Sequence, residues 1–154
     1  MEDVADLLDF ESYLEEDKII YKFTYKKIEI TELRMLKTIH KMKQMFKSLK
    51  SPKIKNITFL FVIKEFIIPA NFSVFKSWSQ VFYDNLDIIT EKLNFTVVQV
   101  DNNKIINTFL WLFKKYYVPI KPLYISTSNT ISQNYIHDEE YRKNNTQFEI
   151  SNMK

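Results

Sequence analysis

His40 and His137 are the only imidazoles in 154 residues, and there is no cysteine. Without a thiol there is no disulfide, no thiolate nucleophile and no Cys-ligated zinc. Neither histidine has a His-x-x-x-His partner, and only His137 stands beside acids, at Asp138, Glu139 and Glu140. A metal site needs three or four ligands that converge in space. Neighbours in sequence rarely converge, so this cluster reads as a solvated turn and helix start. His40 lies at the edge of an apolar stripe and reads as a structural or surface residue. Glycine is absent as well, which removes Gly-rich phosphate loops and the dinucleotide fingerprint. No Ser–His–Asp arrangement and no carboxylate pair can be argued from spacing. The expectation is a chain with no metal, no cofactor and no recognisable catalytic set.

Charge is the next source of chemistry. Residues 1–17 carry eight of the 19 acids and none of the 22 bases. Residues 18–55 hold 12 Lys or Arg against only Glu29 and Glu32. An acidic arm, 1–17, thus precedes a basic body, 18–154, which is expected to be one domain. Lys37, Lys41 and Lys47 would line the basic face. Lysines there, interleaved with Tyr21, Phe23 and Tyr25, could contact phosphates and stack bases. An RNA-binding or ribonucleoprotein role is the alternative this raises. The plainer reading is a solvated face, over which the acidic arm would fold. The longest strongly apolar run, Ile57 to Ile63, is far too short to span a membrane. Residues 1–17 lack the basic start and apolar stretch of a signal peptide, so a cytoplasmic location is expected.

The elements that must position these residues follow from periodicity. Val4, Leu7, Leu8 and Phe10 suggest a short acidic helix. Ile19 to Ile30 suggests a strand with imperfect alternation. Thr31 then starts a helix in which Met35, Ile39, Met42, Phe46 and Leu49 recur at steps of four and three; Ser51-Pro52 ends it. Residues 56–66 read as a buried strand. Phe75, Trp78, Phe82, Leu86, Ile89 and Leu93 predict one long second helix, and residues 95–100 another buried strand. A third helix carries Ile106, Phe109, Leu110, Phe113 and Tyr117, capped by Asp101 or Asn102. Residues 123–126 give a fourth strand. Residues 131–136 would pair with it as a hairpin through Ser128-Asn129, before a frayed last helix. The order is β-α-β-α-β-α-β-β-α, an α/β fold with a central mixed sheet and helices on both faces.

Two stretches resemble the thioredoxin family. Residues 65–71 place an aromatic, Phe66, and a proline, Pro69, where that family's strand runs into its active-site helix. Ile67 and Ala70 stand where the two cysteines would be. Residues 118–125 resemble the segment in which a cis-proline opens the fourth strand, with Pro122 as that residue. The family's buried carboxylate would fall at Phe61. The resemblance covers residues 19–137 by topology and these two stretches by identity. It implies a thioredoxin-like fold that is redox-dead, since thiolate, resolving thiol and carboxylate are all missing.

What the resemblance leaves is a docking face. It would comprise Phe66, Ile67, Ile68, Pro69, Lys121 and Pro122, on which a partner peptide could lie by strand addition. The plain alternative is that Ile67 and Ile68 only seal the old site against Tyr117 or Tyr124. The leading expectation is a non-enzymatic adaptor or chaperone-cofactor module with a protein partner. An enzyme of unrecognised type is a weaker option. The main structural rival is the small regulatory STAS-like domain, which lacks a proline-opened strand followed by a terminal hairpin.

Overall fold

The computed structural model describes residues 4–15, 17–69, 71–100, 103–116, 119–145 and 149–150. Its elements in chain order are β1 (Leu8–Glu15), β2 (Lys18–Tyr25), α1 (Glu32–Ser48), β3 (Ile57–Ile63), α2 (Val74–Tyr83) and α3 (Leu86–Lys92). Then come β4 (Leu93–Val100), α4 (Asn103–Tyr116), β5 (Leu123–Ser126), α5 (Asn129–His137), α6 (Glu139–Asn144) and β6 (Glu149–Ile150). The strands form one mixed sheet in sequential order, β1 to β6. β2 to β5 run parallel, and β1 and β6 pair antiparallel at the two edges.

Parallel crossovers that all step the same way place their helices on one face, because such crossovers are right-handed. The packing agrees. Residues of α1, α2 and α3 pack with Phe23 and Phe59 of β2 and β3. Ile106 of α4 packs with Val98, Val100 and Ile125 on the same side. The opposite face, with Ile20, Leu60 and Val97, is covered by Tyr135 and Ile136 of α5 and by Tyr141 of α6. Helices therefore cover both faces of an α/β sheet, as expected.

Local chemistry explains most of the boundaries. The stripe of α1 is buried at Met35, Ile39, Met42, Phe46 and Leu49. Thr31 caps it, its hydroxyl accepting from Arg34 N at 3.2 Å. At the other end, the Lys92 ammonium donates to the carbonyls of Leu49 and, at 2.8 Å, Ser51. It satisfies acceptors that a helix end leaves open. With no glycine available, Lys27 and Asn56 take φ of 59° and 54° to turn the chain before α1 and β3.

Three expectations are corrected. The acidic arm is a strand rather than a helix. In β1, Glu11 lies opposite Lys22 and Glu15 opposite Lys18, while the Phe10 ring meets Phe23 edge-on at 5.1 Å. Opposite-charge and aromatic cross-strand pairs favour the extended form, and residues 8–15 belong to the same sheet as the basic body. The long second helix is broken into α2 and α3. Asp84 and Asn85 end α2, where Asn85 Nδ2 donates to the Val81 carbonyl at 2.7 Å. Finally, residues 131–136 form α5, not a hairpin strand. Ser128 is its N-cap, accepting from Ile131 N at 3.2 Å. The closing β-β-α pattern is therefore absent, and the order differs from the one expected. The proposed caps Asp101 and Asn102 lie outside the described residues, as do Ala70 and Tyr117.

Candidate functional site

Residues 64–69 and 71–73, between β3 and α2, carry most of the expected docking face. Ile67 and Ile68 are exposed, at 40% and 61% of their surface. Phe66 is half-buried and Pro69 buried. The Tyr25 ring ties this loop to the sheet, 6.2 Å from Phe66 between centroids. Burial pushes the Tyr25 phenol up, against a backbone hydrogen bond from Ile67 and the charge of Arg34. Its hydroxyl donates to the Ile28 carbonyl.

Lys121 and Pro122 lie before β5, both half-buried. No peptide bond is cis among the described residues, so Lys121–Pro122 is trans. The structure brings Lys121 and Phe66 to the walls of one apolar cavity, which Ile67, Ile68, Pro69 and Pro122 do not line. Phe61 stacks on Phe23 at 4.6 Å and lines that cavity as well.

Sequence reasoning missed the extent of the aromatic surface. From Phe66, ring contacts run to Phe75 at 6.1 Å, on to Phe72 at 6.1 Å, and across to Trp111 of α4 at 5.4 Å. Trp111 is 45% exposed, and the Lys115 ammonium lies 4.9 Å from its ring centre. Trp111 stands next to Leu110 and Leu112 in a helix read only for its buried stripe. An exposed tryptophan among them was the available signal.

The basic face is partly engaged within the chain. Asp6 is buried, and its carboxylate pairs with Lys26 at 2.6 Å and with Lys41. Burial alone would raise this carboxyl, but the hydrogen bonds and charges of the two lysines hold it below its ordinary value. Asp6 in turn raises Lys26. Lys41 is thus paired with Asp6, whereas residues 8–15 extend the sheet edge instead of lying over the face of α1. Lys47 lies exposed on α1 and Lys37 is half-buried there.

His137 Nε2 is 2.8 Å from Glu15 Oε2 and 3.2 Å from Gln133 Oε1, a contact that ties α5 to β1. His40 Nε2 meets Gln44 at 3.2 Å on the exposed side of α1. Among the described residues, no three of the His, Asp and Glu side chains gather as a metal site would require. The buried polar cluster joins Ser132 Oγ to Ser126 Oγ at 2.8 Å and to the Gln99 side chain at 2.9 Å. Its hydrogen bonds join two hydroxyls and an amide, and among the described residues none of these partners is a base that could activate a serine. Among the described residues no helix is long and apolar enough to cross a membrane. Compared with family models, curated proteins and solved structures, the chain matches none.

Proposed function

We propose that this chain is a non-enzymatic protein-interaction module of the adaptor type. Its partner docks on the face made by Phe66, Ile67, Ile68 and Lys121, extended to Phe72 and Trp111. The observation that carries this reading is the exposure of Ile67, Ile68 and Trp111 around a connected set of rings. Scattered apolar residues at a surface need no explanation, but grouped aromatic and aliphatic ones mark interaction sites. A protein partner is favoured over RNA because Lys26 and Lys41 are already paired with Asp6.

A helix where the terminal hairpin was expected and a trans bond before Pro122 weigh against the thioredoxin-like arrangement, and the docking face stands on the exposed residues themselves. The test is a pair of variants, Ile68→Asp and Trp111→Ala, in a co-purification from native cells. Either variant should remove the same protein that the unaltered chain retains, with the unfolding midpoint unchanged. Retention of identical proteins by all three chains would overturn the docking face.

A further inference from the structure

Between the sheet and α2 lies a cavity of about 160 Å³. Its floor runs across four strands, from Tyr25 of β2 through Phe61 and Val98 to Leu123 of β5. With strands about 4.8 Å apart, that floor is roughly 14 Å across. Trp78 of α2 and Leu112 of α4 roof it. A cavity of about 150 Å³ with apolar walls stays dry and takes up a benzene-sized molecule. Pockets for drug-sized ligands are larger, about 300 Å³ and above. The length and small volume together suit one thin apolar chain.

Besides Thr96 and Tyr116, the hydroxyls in the walls are already engaged. Thr38 Oγ1 donates to the Arg34 carbonyl at 2.7 Å and accepts from Leu7 N at 2.8 Å. Ser79 Oγ donates to the Phe75 carbonyl at 2.9 Å, and the Tyr25 hydroxyl to that of Ile28. One lining side chain is charged, Lys121. It is half-buried, and no described residue pairs with it. Lys121 thus brings the one positive charge to this lining, without a counter-ion among the described residues. A ligand with one negative charge at the end of an apolar tail supplies that partner.

We propose that this cavity binds a medium-length alkyl monocarboxylate, its tail lying across the sheet beneath α2 and its carboxylate at Lys121. This goes beyond the docking reading and does not depend on it. Occupancy buries the tail against Phe61, Val98 and Trp78, and a single lysine matches a single carboxylate.

The probes are decanoate, decan-1-ol and a terminally brominated decanoate, all below their aggregation limits. Decanoate should raise the unfolding midpoint and bind about fivefold more tightly than the alcohol, the effect of one half-exposed ion pair. Lys121→Met should erase that preference and leave alcohol binding unchanged. The brominated acid should quench Trp78 emission in a Trp111→Phe background. Val98→Phe fills the cavity and should abolish binding; Leu112→Phe does the same from the roof if the first variant fails to fold. Absence of both a midpoint shift and quenching would overturn the site. Unchanged binding in a folded filled variant would also overturn it. An acid preference that survives Lys121→Met would overturn the placement of the carboxylate.

Discussion

Replacing Asp6 by alanine tests whether the acidic arm is locked to the basic body by the ion pairs seen. The Asp6 side chain is 4% exposed, while Lys26 is 27% and Lys41 44% exposed. Breaking a fully buried pair costs about 3–5 kcal/mol because a charge is stranded. Here the stranded charges are lysines that can turn into water, so the loss falls toward the worth of charged hydrogen bonds, about 2 kcal/mol. For a chain of this length each kcal/mol moves the unfolding midpoint by about 2–4 °C, giving a fall of roughly 4–8 °C.

The pH dependence follows from the directions of the shifts. Asp6 is held low in the fold, so its contribution is complete above the ordinary carboxylate pKa and lost as pH falls through the folded value. Lys26 is held high, so its contribution is complete below the ordinary lysine value and lost as pH rises through the folded one. The gap between the native chain and Asp6→Asn, a variant that keeps the side-chain volume, should be flat between about pH 5 and 10 and close at either end. The assay is thermal unfolding by circular dichroism across that range. A midpoint change below about 1 °C at neutral pH, or a gap that persists unchanged in strong acid, would show that Asp6 does not lock the arm.

Other outcomes follow from the core. Lys92→Met removes the donor that closes the end of α1 at the Leu49 and Ser51 carbonyls. It should cost about 1–3 kcal/mol, read from denaturant unfolding with an unchanged slope. Met42 is fully buried at the centre of the α1 stripe, so Met42→Ala should cost about 2–5 kcal/mol. In contrast, Lys43→Ala on the exposed side of the same helix should stay within about 0.5 kcal/mol.

How much of this was legible in the sequence depended on whether the signal was local. The α1 stripe, the apolar runs of β3 and β4, and residues 123–126 of β5 read correctly, because each carries its periodicity within one segment. The arm did not. Glu11 and Glu15 owe their extended conformation to Lys22 and Lys18 on the next strand, and an isolated reading sees only acids among apolar residues. Ser128-Asn129 failed for another reason. The same residue types serve tight turns and helix N-caps, and only the spacing of Ile131, Tyr135 and Ile136 separates the two.

For the candidate site, the exposure of Ile67 and Ile68 was foreseen as one of two alternatives. Trp111 was not foreseen, because its place beside the loop depends on α4 packing against α2. The cavity was out of reach altogether, since its walls come from residues scattered between Leu7 and Leu123.

The docking face is tested most directly by a photo-reactive amino acid placed at position 68 in the native cell. A second placement at Asp87, exposed on α3, serves as control. One discrete protein adduct is expected from position 68, absent from position 87 and lost when Trp111→Asp is added. The same adducts from both positions, or none from position 68, would contradict the docking face.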